Sequence, residues 1–188
     1  MEIDANTETG GEQLATGPVA PARDAASAIL IRGGTERLEV LLGKRNPGAR
    51  FMAGVWVFPG GGVDAADREG AADLQAALRA AAIREAKEEV GIEPDPTSLV
   101  HYSNWITPEA VQIRFDTHFY LAEVSDTTVA QPDNQEIVAA DWFEPNTALA
   151  KHQQDELPLV FPTIKHLEAL AKHATAADLF AAAASRTV

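Results

Sequence analysis

The chain has 188 residues, 46% of them apolar and 23% charged, a composition that suits one soluble domain with a core and tails. It has no cysteine, which excludes disulfides and Cys-based zinc sites and fits a cytoplasmic location. A formal charge of −13 repels a nucleic-acid polymer; no apolar run reaches the roughly 18 residues needed to enter a membrane as a helix, and the acidic N-terminus carries no secretory pattern.

Residues 1–23, rich in Gly, Thr, Glu, Ala and Pro without an apolar period, read as a flexible tail, and residues 24–188 as a single domain with a helical C-terminal part. Residues 25–31 read as a strand, Gly33-Gly34 as a turn, and 38–42 as the return strand of a hairpin. Asn46-Pro47-Gly48 is a loop, and 55–58 form a short strand running into a turn, Pro59-Gly60-Gly61-Gly62. From about 72 to 90 the pattern is helical, with Leu74, Leu78, Ala82 and Ala86 at four-residue steps. Gly91 ends that helix, and Pro94 and Pro96 prevent its continuation. A strand follows at 100–105 and a longer one at 112–122. In the second, Ile113, Phe115, Thr117, Phe119 and Leu121 share one face, and Arg114, Asp116, His118 and Tyr120 the other. Residues 137–142 are a further strand, and the chain is mostly helical from Thr163 onward.

The chemistry concentrates in residues 58–92, where a glycine-rich turn leads from a strand toward a helix carrying Arg84, Glu85, Glu88 and Glu89. At 3.6 residues per turn Glu85 and Glu89 share a face, and Glu88 lies one turn from Glu85 and from Arg84. Three carboxylates within a turn repel each other, and a cation relieves that repulsion. Mg²⁺ takes oxygen ligands and activates water, so Glu85, Glu88 and Glu89 are its candidate ligands, with Mn²⁺ as the alternative ion. Arg84 can pair with Glu88 at i, i+4 and steady a neighbouring carboxylate. Gly60, Gly61 and Gly62 allow close backbone approach, and the Gly60 carbonyl is a candidate further ligand. Asp64 and Asp67 could add a carboxylate or brace the turn. Each part alone has a plainer reading, a solvated Glu-rich face or a simple turn.

Together these residues resemble the Nudix box: glycine, five residues, Glu, seven residues, then Arg-Glu-apolar-x-Glu-Glu-x-Gly-apolar. Arg84, Glu85, Ala86, Glu88, Glu89, Gly91 and Ile92 match its second half. Gly61 fits the box glycine, but Asp67 stands where Glu is usual, and sixteen residues rather than seven separate Asp67 from Arg84. The nine extra residues can extend the helix backwards by about two and a half turns. The segments "LLGKRNPGARFMAGVWVFPGG", "NWITPEAVQIRFDTHFYLAEV" and "EIVAADWFEP" resemble the coenzyme A diphosphatase branch, including its peroxisomal type. A histidine typical of that branch is lacking between Phe51 and Val55, and Ser185-Arg186-Thr187-Val188 is not a peroxisomal address.

The resemblance implies an α/β/α sandwich with a curved mixed β-sheet. It also implies Mg-dependent hydrolysis of the diphosphate in a nucleoside diphosphate linked to another moiety, coenzyme A or an acyl derivative by the flanking match. ADP-ribose, NADH or another nucleotide is the alternative substrate, and a non-catalytic nucleotide-binding regulatory module the alternative class. A Nudix-type isomerase would usually need a cysteine. A later-loop glutamate often completes such sites, which makes Glu136 a candidate ligand or base; Glu85 is the other candidate base. Glu109 is a weaker candidate for the first role. Arg45, beside Lys44, could attract the substrate. Arg114 could grip a phosphate or pair with an acid such as Asp116. Trp105 and Phe115 could stack on a base or pack in the core, and His118 reads as a hydrogen-bonded sheet histidine. The oligomeric state stays open, a homodimer included.

Overall fold

The computed structural model describes residues 19–49 and 52–185. The tail reading for residues 1–18, Phe51 in the approach to the glycines, and residues 186–188 lie outside them. A seven-stranded mixed sheet lies between two helical layers, the α/β/α sandwich expected. Its strands are β1 Arg23–Arg32, β2 Glu39–Arg45, β3 Trp56–Val57, β4 Gly60–Gly62, β5 Val100–Ile106, β6 Phe115–Glu123 and β7 Ile137–Phe143. The helices are α1 Ala65–Arg68, α2 Leu74–Val90, α3 Pro145–Gln153, α4 Phe161–Leu170 and α5 Ala176–Ala184.

β1 is the central strand. Its residues 25–31 are all buried, as a strand covered on both faces requires. It pairs in parallel with β6 along nearly its whole length, from Arg23↔Phe115 to Ile31↔Glu123. Its other edge is shared. Ile31 and Arg32 take β2 through the hairpin, whereas Ala25–Ser27 take β4. β2 leaves β1 after those two pairs and runs on between β3 and β7, with a register shift between Lys44 and Arg45. The sheet thus forks between β2 and β4.

The alternation of β1 assigns the two cores. Ala26, Ala28 and Leu30 pack under α2, with Leu78, Ala81, Ala82 and Ala86. Ile29 and Ile31 face α3, α4 and α5, with Leu42, Phe119, Leu167, Leu170 and Leu179. Alanines on both α2 and β1 let helix and sheet approach closely. α2 begins at Asp73, whose side chain accepts from the Ala76 amide at 2.8 Å. It ends at Gly91, whose φ of 70° is the left-handed stop that glycine adopts without strain.

Several expectations need correction. The glycine run is not a turn but a three-residue strand paired with β1; at Gly60 and Gly61 the neighbours leave no room for a Cβ. The helix starts at Leu74, which is exposed rather than a core position, because the chain folds through α1 and a turn before the buried face begins. β6 starts at Phe115, so Ile113 is exposed in the preceding turn. α3 was not foreseen; its Pro145 at the first turn starts it, and Ala148 is its deepest contact.

Candidate active site

The end of α2 lies over β4, at the fork. Glu89 is 3% exposed, and its carboxylate accepts from the Gly60 amide at 2.9 Å. Glu85 lies against Gly61, where a Cβ would overlap its carboxylate. Gly61 is therefore required by the close passage of Glu85, and Gly60 by that of β1, where a Cβ would meet the Ser27 side chain and the Ala26 carbonyl.

Arg84 organises the next layer. It grips Asp67 with two bonds, Nε to Oδ1 at 3.0 Å and Nη2 to Oδ2 at 2.9 Å. The same guanidinium donates to the Gly62 carbonyl at 3.0 Å and, through Nη1, to Glu85 and Glu88 at 2.9 Å each. Asp67 is almost fully buried and also accepts from the Asp64 amide at 2.8 Å. Burial acts to raise its pKa, but Arg84 and that amide outweigh it and hold the carboxyl below its usual value. Asp67 thus occupies the place of the box glutamate as the brace of Arg84. The long insertion does not disturb this, because its residues form the turn after α1 and the first turns of α2.

The fork brings two distant residues to the same place. The Gln131 amide donates to the Val90 carbonyl at 2.8 Å and the Asp133 amide to that of Glu89 at 3.1 Å, so the loop before β7 hangs from the end of α2. The Asp133 carboxylate then accepts from the amides of Glu136, at 3.0 Å, and Ile137, at 2.8 Å. These bonds set the loop that carries Glu136. On β2, Arg45 is bonded through its amide to the Val55 carbonyl at 2.9 Å, and its side-chain Nε is buried with no acceptor among the described residues.

These groups sense one another. The Glu89 pKa is pushed up to about 8, first by burial and then by the charges of Glu85 and Glu136, with the Gly60 amide and Arg45 opposing. Glu85 is raised by burial first; Arg84 opposes this, and Glu88 and Glu136 add to it. Buried carboxylates that repel one another are the oxygen donor set a hard divalent cation suits. As they stand, each box carboxylate is tied to a protein donor, and among the described residues no three His, Cys, Asp or Glu side chains converge on one point. Arg84 takes one oxygen of each neighbouring carboxylate, Oε1 of Glu85 and Oε2 of Glu88, so a cation would use their other oxygens.

Other candidates lie elsewhere. Trp105 packs on the opposite face of the sheet, edge-on to Phe161 at 5.9 Å, beside the α4 histidine His166. The rank Gly62–Ala25–Thr117–Trp105 puts it three strands from β4, about 14 Å at the usual spacing. Phe115 follows the alternation of Phe119 and belongs to that face too. Arg114 spends its donors on backbone carbonyls, Nε on Thr107 at 3.0 Å and Nη1 on Ala20 at 2.8 Å. Glu109 is exposed in a turn. His118 is a hydrogen-bonded sheet histidine, 3.0 Å from His101. Two surface depressions, one beside Gly33–Glu36 and one beside Ala171–Ala174, include none of the clustered acids.

Sequence reasoning missed the coupling of Arg45 and Glu136 to Glu89, which depends on how β2 and β7 pair. The bond between Asp67 and Arg84 had a sequence signal, the placement of Asp67 after Gly61 with five residues between them.

Comparisons with known proteins bear on the family and the fold. The NUDIX domain family model matches residues 21–161. Nudix hydrolase 7 of Caenorhabditis elegans is 31% identical over 185 residues, covering 80% of this chain and 61% of that protein. Human acyl-coenzyme A diphosphatase NUDT19 is 32% identical over 88 residues, 46% of this chain and 24% of its own. The chain thus spans less than two thirds of the curated relatives it matches. A crystal structure of a NUDIX hydrolase from Alicyclobacillus acidocaldarius superposes with a TM-score of 0.74 at 27% identity, covering 84% of this chain and 94% of that one.

Proposed function

The chain belongs to the Nudix family, and from that premise we propose that it hydrolyses the diphosphate of a nucleoside diphosphate linked to another moiety, with coenzyme A or acyl-coenzyme A as substrate. The observation that carries this reading is the meeting of Glu85, Glu89 and Glu136 with Arg45 at the fork of the sheet. All the box carboxylates are present, which favours an enzyme over a binding module that has lost them.

Glu85, Glu88 and Glu89 would hold Mg²⁺ or Mn²⁺, with Glu136 and the Gly60 carbonyl as further oxygen donors. When bound, the ion supplies positive charge that offsets both the carboxylates and the substrate oxygens and makes water more acidic. The chain's own residues do the rest. Arg84, held by Asp67, fixes the direction in which Glu85 and Glu88 present their oxygens. Arg45, whose buried Nε has no acceptor among the described residues, would turn its guanidinium to a phosphate oxygen. The attacking water gives its proton to a carboxylate, for which Glu85 and Glu136 are the candidates.

Support for coenzyme A comes from the flanking segments and from the likeness to NUDT19 over 88 residues. Arg45 and Lys44 would also offer positive charge to the 3′-phosphate. The test compares kcat/KM for coenzyme A, acyl-coenzyme A, ADP-ribose and NADH at equal Mg²⁺ and identifies products. 3′,5′-ADP and 4′-phosphopantetheine are expected from coenzyme A. A tenfold preference for ADP-ribose, about 1.4 kcal/mol, would overturn the substrate and leave the hydrolase reading standing. Full activity in excess EDTA, or in Glu89→Gln where a loss of roughly 10²–10⁴ in kcat is expected, would overturn the hydrolase mechanism itself.

A further inference from the structure

Glu136 is exposed, and among the described residues its carboxylate has no hydrogen-bond partner. With no bond of its own to aim it, its direction is set by its backbone. Two peptide planes meet at its Cα, and fixing both fixes φ, ψ and with them the Cα–Cβ bond. Two residues hold those planes. Asp133 takes both amides, that of Glu136 at 3.0 Å and that of Ile137 at 2.8 Å. Asn46, just beyond β2, takes both carbonyls. Its side-chain Nδ2 donates to the Gln135 carbonyl at 2.8 Å, and its own amide donates to the Glu136 carbonyl at 2.8 Å.

The two clamps are anchored on different elements. Asp133 hangs from the Glu89 carbonyl of α2, whereas Asn46 follows Arg45 where β2 shifts register against β7. Asn46 also accepts from the Gly48 amide through Oδ1 at 2.8 Å. That bond directs the other side-chain atom, the donor Nδ2, at Gln135. The position therefore uses a short side chain with both an acceptor and a donor, which asparagine has and an ionised aspartate or an alanine lacks. The plainer use of Asn46 is the turn alone, since asparagine before Pro47 and Gly48 favours one. A turn, however, needs only the acceptor, and the donor would be left without a purpose.

We propose that Asn46 is a positioning residue of the reaction, fixing the direction of the Glu136 carboxylate and tying it to the neighbouring Arg45. The inference rests on the reading of Glu136 as a working group of the proposed hydrolase. Asn46 touches neither substrate nor cation. It holds an exposed acid, whose charge acts on Glu85 and Glu89, in one direction before substrate arrives. A misplacement of about 1 Å in such a group can cost about 10²-fold in rate.

The test measures kcat and KM in Mg²⁺ with whichever of coenzyme A and ADP-ribose turns over faster. Glu136→Gln should lower kcat by roughly 10²–10⁴. Asn46→Ala and Asn46→Asp should each lower it by roughly 10–10², with KM within about twofold of the parent. In the Glu136→Gln background the same changes should cost less than about twofold, because nothing is left to position. In the metal-free chain, Asn46→Asp should speed amide hydrogen exchange at Glu136 and Ile137 by roughly fivefold, as the loss of one hydrogen bond allows. Asn46→Asp keeps the bond to Gly48, so it also carries the comparison should Asn46→Ala fail to fold. Parent-like kcat or unchanged exchange in Asn46→Asp would reduce Asn46 to a turn former. Losses that multiply with Glu136→Gln would show that it acts on another group. Each of these overturns the inference and leaves Glu136 in its role, whereas parent-like kcat in Glu136→Gln removes that role and the inference together.

Discussion

A carboxyl group that is 3% exposed, faces two other acids and receives a backbone amide is poised to change protonation near neutrality; Glu89 is such a group. Its folded pKa, about 8, lies above the ordinary value of 4.5. Between those values the folded state keeps a proton that the unfolded chain has released. The stability this group contributes is therefore complete below about pH 4.5 and is lost as pH rises toward 8. In EDTA, the melting temperature should fall between pH 6 and 8.5, and Glu89→Gln should remove that fall. The same pH dependence in both proteins would show that Glu89 is not the group responsible. Asp67 behaves in the opposite sense. It is a buried anion with Arg84 as its partner, so Asp67→Asn should cost roughly 1.5–3 kcal/mol, the range for a hydrogen bond to a charged group. Denaturant unfolding measures this, and a loss below 0.5 kcal/mol would mean that the brace is dispensable.

At the scale of elements, α4 offers a second titration. His166 is buried among Phe58, Tyr102, Trp105 and Phe119, with Nε2 2.6 Å from the Ser103 hydroxyl and Nδ1 2.7 Å from the Pro162 carbonyl. Burial lowers its pKa to about 4. A depressed histidine contributes stability that is present above pH 6.5 and is lost as pH falls toward 4. His166→Gln should lose this acid sensitivity between pH 6.5 and 4, and an unchanged acid transition would rule out His166 as its source. What could be read in advance at this scale followed local periodicity. The α2 pattern and its stop at Gly91 needed only neighbours in sequence, and so did the β1–β2 hairpin and the alternation of β6. The spacing of Glu85 and Glu89 fixed one face of the site. The rest depends on pairing between distant segments. Nothing local in Gly60–Gly62 shows that Ala25–Ser27 will take it as a strand. Nothing local to Trp105 or Phe115 tells which side of the sheet faces α2.

At the scale of the molecule, the site couples to stability through charge. Glu85, Glu89 and Glu136 repel one another only when the fold brings them together, so a cation that binds them binds the folded state selectively. Mg²⁺ at a hundred times its dissociation constant should stabilise by about 2.7 kcal/mol, read as a rise in melting temperature that EDTA reverses. Glu85→Gln should raise the melting temperature in EDTA and shrink the response to Mg²⁺. A response to Mg²⁺ equal to that of the parent chain would place the ion elsewhere.

The loop before β7 hangs from the last two carbonyls of α2, and Glu89 of that same helix holds the Gly60 amide. Helix, loop and short strand are thus linked at one point: fraying of the final turn of α2 would free the Glu136 loop and the Gly60 amide together. Amide hydrogen exchange should report this as a shared opening free energy at Gly60, Gln131 and Asp133, the mark of a single cooperative unit. Asp133 exchanging much faster than Gly60 would show that the loop opens by itself. A shared opening would make the end of one helix the gate through which the whole site is assembled or lost.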